Sequence, residues 1–530
     1  MLRFQFYLKQ AEAMYLLDAD LNRVTIEVLG DLLDDQRDRT VQVLLNWWKP
    51  EERTVNLHEG AKSDALIAAL FSSVERGERC FVCSNSKTFI NQIETKLIER
   101  VEPRKVLKVT SDNSQNPEIQ AIMRDIKTRA LDYAVILSSP AIGTGIDITF
   151  EDDAPLIDAV YGFFEPRINT HFDIDQQLSR VRNPGQVHVW ISSEEYRFET
   201  DVLAIRAELL ASGQKQRELL SISPDGKPVY DDLYDKIYGT VTASERASKN
   251  RLRKNFIDLR RSNGWNVEVI ETNGEARKVG KAIRKEGKEA LLNKRLQSIL
   301  AAPQISEQQF GNLRSRESAD KLNDNDRPAM RRYEIESFYC EDATLELLVL
   351  DDDGRLRESI RTFGLLVSDD ETLKSEDRWD REILLPDQKQ LLQKKHLLLE
   401  LFKSAGILRD KAFDPAIEID SAQLEAFART AQKNKAEIER HFKIPVRGDV
   451  YKKPITQLQS ILKLVGLRLP KSRTEQSGGK KRYFYRLAAD ELATVSTWAS
   501  RRSDPHRRQA WRKQRDALIN AGDPGSRVVD

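Results

Sequence analysis

The feature that most constrains the fold is a short apolar run that opens into a glycine-rich turn. Residues 133–137 form a run of strand length before Pro140, which is typical of a strand buried on both faces of a parallel sheet. Gly143 and Gly145 follow, and Asp147 stands just after them. Because glycines let backbone N–H groups approach a phosphate, the segment predicts a phosphate-binding turn fixed by Asp147. A tight turn with a capping aspartate is the alternative.

A second segment further along adds positive charge. The pattern from His171 to Arg182 predicts a helix with one apolar side. The side chains of Gln176, Arg180 and Arg182 are expected to project away from that side. Guanidinium groups bind phosphate oxygens at two points and can neutralise charge on a transferring phosphoryl group. The pattern therefore predicts contact with phosphate, with a solvated basic helix end as the alternative.

Other segments around these two have the lengths expected of an alternating α/β lobe. Strands are predicted at residues 80–83, 106–109, 156–160 and 187–191, the last with an alternation suited to an edge. Helices are predicted at residues 64–75, 87–98 and 117–130, and such helices supply the crossovers that parallel strands require. For residues 63–193 the predicted fold class is α/β with a parallel sheet.

In this order the motifs resemble the second motor lobe of superfamily 2 helicases and, within them, the cyanobacterial RepA-like (CyRepA) plasmid replication proteins. The similarity extends to residues 17–21, which look like the end of a first motor lobe, and to residues 248–530 with Leu350-Asp-Asp-Asp-Gly354. The resemblance implies a RecA-like lobe of the P-loop NTPase superfamily type, and ATP-dependent DNA unwinding at a plasmid origin.

The resemblance also implies roles for individual residues. Those expected to bind the nucleotide are Gly143, Gly145, Asp147 and Gln176, those expected to be catalytic are Arg180 and Arg182, and those expected to contact nucleic acid are Ser84, Asn85 and Lys87. The two arginines are two positions apart here, whereas many relatives have them three apart. Which of the two reaches the γ-phosphate therefore stays open.

The chain contains no Gly-x-x-x-x-Gly-Lys-Ser/Thr motif, and no Asp-Glu motif follows a strand ahead of Asp18. In motors of this kind these motifs hold the phosphates and Mg²⁺ in the first lobe. The sequences Gly280-Lys281 and Gly479-Lys480 lack the strand before them and the Ser/Thr after them. We therefore expect an N-terminally truncated or split protein that binds ATP and Mg²⁺ only together with a first lobe.

Composition narrows the class of protein. The 530 residues indicate several domains, and 32% charged residues with a mean hydropathy of −0.56 argue against a membrane span, so we expect a cytoplasmic protein. Three cysteines are too few for a disulfide framework, and Cys80 and Cys83 are predicted to be reduced core residues on opposite faces of a strand. The formal net charge of +1 hides basic residues crowded in the C-terminal third.

The C-terminal half contains two candidate DNA-binding features. Residues 243–300 predict charged helices, with many basic residues before Trp265. The favoured interpretation is that these basic residues form solvated helix faces, and the alternative is a surface that follows a phosphate backbone. Residues 455–465, 467–469 and 480–487 predict a helix and two strands around a polar tip at 471–479, which is the pattern of a winged helix. Its predicted DNA contacts are Lys471, Arg473, Lys480, Lys481 and Arg482. A winged helix used for protein contacts is the alternative.

These observations predict six regions: the end of a first RecA-like lobe with a connector (1–60), the second lobe (61–215), a charged helical region (216–340), a mixed helical region (341–445), a winged-helix-like domain (446–503) and a basic, partly disordered tail (504–530). Two classes of function remain. One is the C-terminal part of a replication helicase, with origin or single-stranded DNA and a separate first-lobe or primase subunit as partners. The other is a non-catalytic DNA-binding or assembly subunit.

Overall fold

The computed structural model describes residues 2–11, 14–15, 23–33, 53–140, 146–211, 219–225, 228–318, 322–323, 325–382, 390–409, 412–477 and 480–522. The chain divides into two compact units, Met1–Asn293 and Lys294–Asp530. Residues 17–21 and the glycines at 143 and 145, on which predictions were made, lie outside the described residues.

Unit 1 is built on a parallel β-sheet. The strands of unit 1 are β1 (Thr54–His58), β2 (Cys80–Ser84), β3 (Val106–Val109), β4 (Val135–Ser138), β5 (Ala159–Phe164), β6 (Gln186–Ile191), β7 (Leu219–Ile222), β8 (Pro228–Tyr230) and β9 (Asn266–Ile270). Of these, β7 and β8 form a separate small hairpin. The sheet has seven strands in the order β3-β4-β2-β5-β6-β1-β9, and each adjacent pair is parallel. The predicted α/β class with a parallel sheet is confirmed.

Helices cover both faces of this sheet. The helices of unit 1 are α1 (Leu2–Gln10), α2 (Arg23–Leu33), α3 (Asp64–Glu75), α4 (Lys87–Leu97), α5 (Pro117–Arg124), α6 (Ile126–Arg129), α7 (His171–Leu178), α8 (Val202–Ala211), α9 (Asp232–Asn250), α10 (Leu252–Ser262) and α11 (Gly274–Ala301), whose last turns pass into unit 2. One face packs under α3, α4 and α11, and the other under α5, α6, α7 and α10. Parallel strands buried on two faces explain the continuous apolar runs in the sequence.

The sheet extends beyond the predicted lobe at both ends. β1 precedes residue 61 and β9 follows residue 215, yet β9 pairs with β1 along all five residues from Thr54 to His58. The predicted edge position of residues 187–191 is wrong, because β6 lies between β5 and β1. Its polar alternation comes from His188, which stacks on Tyr161 within the fold instead of facing solvent.

Two helix predictions also needed correction. The helix predicted from His171 to Arg182 ends at Leu178, since Val181 instead forms a β-bridge to Ile148 and Pro184 follows shortly after. The predicted helical run of residues 243–300 is interrupted by β9, which draws Val267 into the core beside the sheet.

The cysteine prediction is confirmed for the strand pair. Cys80 belongs to the core on one face of the sheet and Cys83 to the core on the other. Both are free thiols, and burial raises the pKa of Cys80 to about 12. These residues are packing elements within the sheet.

Unit 2 is mostly helical. Its elements are α12 (Glu307–Ser318), α13 (Asp326–Tyr339), α14 (Leu345–Asp351), α15 (Arg355–Val367), α16 (Asp370–Glu382), α17 (Leu391–Ser404), β10 (Leu408–Arg409), β11 (Ala412–Phe413), α18 (Glu425–Lys433), α19 (Lys435–Phe442), α20 (Pro454–Leu462), β12 (Lys471–Ser477), β13 (Lys480–Tyr485), α21 (Ala489–Ser503) and α22 (Pro505–Gly522). A single apolar cluster joins most of them, from α13 to α21. Residues 505–522 of the predicted tail form α22.

The end of unit 2 contains a helix followed by an antiparallel hairpin. α20 continues as a 3₁₀ turn to Val465, which matches the predicted helix at 455–465. The strand predicted at 467–469 is wrong: Leu467 and Leu469 are buried in a non-strand segment, and β12 begins at Lys471. β12 and β13 pair from Lys471 to Tyr485, and Ile419 adds a bridge to Tyr485.

Across the part of the chain that the structure describes, no helix is both long enough and apolar enough to span a bilayer.

Candidate functional site

The two motifs singled out by sequence lie side by side in unit 1. Ile148 and Val181 form a parallel bridge, in which the Ile148 N–H donates to the Arg180 carbonyl at 2.8 Å and the Arg182 N–H donates to the Ile148 carbonyl at 3.1 Å. This two-bond ladder holds residues 146–149 against residues 180–182. It brings Asp147, Arg180 and Arg182 into one cluster.

Side chains reinforce the ladder. Arg182 Nε donates to Asp147 Oδ1 at 3.0 Å, and the same oxygen accepts from Thr149 Oγ1 at 2.9 Å. Arg180 Nη1 donates to the Ile146 carbonyl at 3.1 Å. Burial, followed by the charge of Arg182, lowers the pKa of Arg180, while Asp147 raises it. Arg182 is 58% exposed, so its guanidinium is the more accessible of the two.

The helix that carries Gln176 is fixed at its start and at its packing face. Thr170 and Asp173 form a reciprocal capping box at the first turn of α7. The helix presses so closely onto β5 that a Cβ at Gly162 would lie 2.7 Å from Leu178. Gln176 is half-buried on this helix. α7 begins after the carboxyl end of β5 and returns toward the start of β6, which places Arg180 and Arg182 near the amino ends of the strands.

A group of residues that sequence reasoning missed supports the arginine segment. Arg53 donates to the Arg182 carbonyl at 3.0 Å and to Asn183 Oδ1 at 2.6 Å. Asn183 in turn donates to Asp153 Oδ1 at 2.6 Å. Arg53 precedes β1, so the first strand of the sheet and the arginine loop are fixed together. No local pattern in the sequence could reveal this, because 129 residues separate Arg53 from Arg182.

Arg260 holds the underside of α7. It lies on α10, is 2% exposed, and pairs with Asp175 at 2.6 Å while donating to Ser179 Oγ at 3.1 Å. Its guanidinium also lies 4.4 Å from the ring centre of Trp265. Burial raises the pKa of Asp175, and Arg260 opposes that shift. The favoured prediction of a solvated face is therefore wrong for Arg260, and its burial also removes it from any phosphate-tracking surface.

The residues predicted to contact nucleic acid after β2 divide into buried and exposed members. Ser84 and Asn85 are buried, and Asn85 joins β2 to the end of β5 by donating to the Glu165 carbonyl at 2.8 Å and accepting from its N–H at 2.9 Å. Lys87 is exposed and pairs with Asp112 at 2.9 Å. Lys87 is thus the member of this group with a charge at the surface.

The basic residues of the β12–β13 hairpin likewise fall into two groups. Arg473 pairs with Glu418 at 2.5 Å, and Arg482 pairs with the buried Asp420. Lys471 lies 5.1 Å from the ring centre of Tyr483, and Lys481 is exposed; within the described residues neither forms an ion pair. Lys480 is the first residue of β13.

The chain matches none of the known protein-family profiles. It is 26% identical over 196 residues to an uncharacterized protein of Picosynechococcus sp.. The alignment covers 35% of this chain and 19% of that protein, so the chain spans about a fifth of the relative that it matches.

Proposed function

We propose that unit 1 is the RecA-like second motor lobe of a superfamily 2 DNA helicase of the P-loop NTPase type, acting in plasmid replication. The observation that carries the proposal is the ladder that joins Ile148 to Val181 and thereby groups Asp147, Arg180 and Arg182. Sequence order alone does not require these motifs to meet. Their meeting on a seven-stranded parallel sheet is what a motor lobe requires.

The position of the arginines defines their task in this proposal. Ligands of open α/β sheets usually bind at the carboxyl ends of the strands, whereas Arg180 and Arg182 lie toward the amino ends. We infer that they act on a nucleotide held by another lobe, as an arginine finger does. Asp147 keeps the Arg182 guanidinium oriented until the phosphate arrives. ATP and Mg²⁺ would then be held chiefly by that first lobe.

We further propose that the last part of unit 2 is a winged helix. α17, the bridge at Ile419, α18 with α19, α20 and the β12–β13 hairpin follow the helix, strand and wing order of that domain. Arg473 and Arg482 hold the hairpin to Glu418 and Asp420. Lys471 and Lys481 are then the wing residues available to DNA phosphates.

The second candidate function is a DNA-binding or assembly subunit without motor activity. It is favoured by the sequence itself, which contains no Gly-x-x-x-x-Gly-Lys-Ser/Thr motif. In this alternative the sheet is a scaffold, and the wing supplies the contact with replicating DNA. Cytoplasmic location is expected under both candidates.

The motor proposal is tested by joining the chain to a first lobe, encoded upstream in the same frame or as a separate subunit. DNA-stimulated ATP hydrolysis of the joined protein should fall at least about a hundredfold in Arg180→Ala or Arg182→Ala, since finger residues contribute on the order of 10³ or more. Arg104→Ala is the matched control, because Arg104 is 84% exposed and, among the described residues, forms its ion pair with the neighbouring Glu102. Unchanged hydrolysis in both finger variants would refute the assignment.

DNA binding is tested on the chain as it is. Lys471→Ala/Lys481→Ala should weaken binding of a fluorescent duplex and reduce the salt dependence of the affinity by about one to two counterions. Lys374→Ala/Lys403→Ala removes the same charge from exposed helix positions of unit 2 and should leave binding unchanged. Equal affinities for the two double variants would remove the wing from the DNA interface.

A further inference from the structure

We propose that unit 2 contains a second phosphate-binding site, formed by Arg361, Arg502 and Arg508 beside the ring of Phe338. The ligand is a phosphate group, either of a nucleic-acid backbone or of a free phosphate. The site is separate from the wing bases and from the arginines of unit 1, and it does not depend on the motor proposal.

The three arginines come from three different helices. Arg361 lies on α15, Arg502 on α21 and Arg508 on α22, while Phe338 lies on α13. The guanidinium of Arg502 is 4.4 Å from the Phe338 ring centre, and that of Arg361 is 5.1 Å from it. Arg502 and Arg508 also line a narrow cleft with Trp498. Contact with the ring orients the guanidinium groups without consuming their N–H donors.

Neighbouring carboxylates leave positive charge in the cleft. Glu341 is shared by Arg501 at 3.0 Å and Arg507 at 2.9 Å. Asp504 lines the cleft and caps the start of α22 by accepting from the His506 N–H at 2.9 Å. The charge of Glu376 also reaches this cluster, acting on Arg502.

Arg361, Arg502 and Arg508 form no ion pair with any carboxylate in the described part of the chain. Within the described residues, these three cations therefore lie together without a carboxylate at ion-pair distance, although Asp504 lines the same cleft. Burial, followed by the charges of Arg508 and Arg361, lowers the pKa of Arg502 to about 10. Phosphate would relieve this repulsion and accept several N–H donors at once, because the guanidinium fork matches its oxygens.

A thiol in the cleft gives a direct readout. Cys340 lines it and is partly exposed, whereas Cys80 and Cys83 are buried, so a neutral alkylating reagent should label Cys340 in the folded chain. These are the three cysteines of the sequence. The rate of labelling, followed by mass spectrometry, therefore reports whether the cleft is occupied.

The test compares labelling of Cys340 in chloride with labelling in inorganic phosphate at equal ionic strength, and without or with a saturating oligonucleotide. We expect one of the two ligands to slow labelling at least threefold. Arg361→Gln/Arg508→Gln should abolish the protection without altering the thermal unfolding midpoint. Arg355→Gln/Arg429→Gln, which removes two exposed arginines from unit 2, should keep it. Arg502→Lys tests the fork itself and should weaken protection while keeping the charge.

The two arms identify the source of the phosphate. Protection by DNA alone assigns the site to a nucleic-acid backbone, and protection by inorganic phosphate assigns it to a free phosphate. Unchanged labelling with both ligands, or protection that survives in Arg361→Gln/Arg508→Gln, would overturn the proposal. Lys471→Ala/Lys481→Ala should leave the protection of Cys340 by inorganic phosphate unchanged. Failure of the proposed wing contact with DNA and failure of the proposed phosphate site therefore give different results.

Discussion

Arg182 Nε lies 3.0 Å from Asp147 Oδ1, although 35 residues separate the two in sequence. Both side chains are partly open to solvent, at 58% for Arg182 and 37% for Asp147. Exposed pairs of this kind stabilise a fold by less than about 1 kcal/mol. The contact therefore orients the guanidinium more than it stabilises unit 1.

This gives a prediction that separates orientation from stability. Asp147→Asn should change the free energy of unfolding by less than about 1 kcal/mol. In the joined motor, however, it should lower DNA-stimulated ATP hydrolysis at least about tenfold, because a misplaced finger no longer meets the phosphate. Urea denaturation and steady-state hydrolysis measure the two effects. A parallel loss of stability and hydrolysis would instead make Asp147 a structural residue.

The buried pair of Arg260 with Asp175 predicts a large and non-additive effect. Arg260→Met leaves the Asp175 carboxylate unpaired under α7 and should destabilise unit 1 by about 3–5 kcal/mol. Arg260→Met/Asp175→Leu removes both charges and should recover most of that loss. The cycle is completed by Asp175→Leu and measured by urea denaturation. Additive losses would show that the two side chains are not coupled.

The histidine pair between β1 and β6 predicts loss of stability in acid. His58 Nε2 lies 3.2 Å from His188 Nδ1, and burial, followed by the charge of His188, lowers the pKa of His58 to about 4. The unfolded chain therefore binds a proton more readily than the folded one below about pH 6.5. Stability from this residue is complete above that pH and falls as the pH drops toward 4, by at most about 3 kcal/mol.

Thermal unfolding at pH 7.5 and pH 5 measures this effect. His58→Asn should show a smaller drop in the midpoint between the two pH values than the unaltered chain. His506→Asn, at an exposed position on α22, is the control and should keep the full drop. An equal drop in all three proteins would mean that other groups cause the acid sensitivity.

Two neighbouring basic residues of the β12–β13 hairpin are predicted to differ in what their replacement changes, stability or DNA affinity. Arg482 pairs with Asp420, whose carboxylate is 2% exposed and also accepts from the Gln423 N–H at 3.1 Å. Burial alone would raise the pKa of Asp420, but Arg482 and backbone N–H groups give it a net lowering. Arg482→Ala should therefore lower the unfolding midpoint of unit 2, whereas Lys481→Ala should lower DNA affinity only. A reversed order of the two effects in calorimetry and anisotropy would contradict this division.

Sequence predicted the central strands because burial on both faces leaves a continuous apolar run. Cys80–Ser84 and Val106–Val109 were found within one residue for that reason. β9 was missed because only Val267 of its five residues is buried, and because the strand stands among charged helices. Its place in the sheet depends on pairing with β1 across more than two hundred residues. Local periodicity carries no information about such a pairing.

The candidate site was predicted in its members but not in its geometry. Sequence identified Asp147, Arg180 and Arg182, yet expected a continuous helix where the structure has a bridged extended segment. Residue types also did not distinguish surface from interior. Asn85 and Arg260 look like surface polar residues in a sequence, but their partners Glu165 and Asp175 lie far away along the chain.

The pairing of β9 with β1 determines how the chain can be cut. A fragment that ends near residue 215 would leave the backbone donors and acceptors of β1 open along one side, and such an edge recruits strands from other molecules. It would also lose Arg260 from beneath α7. A lobe expressed alone should therefore retain residues through Asn293, so that β9 covers the edge of β1 and α11 covers one face of the sheet.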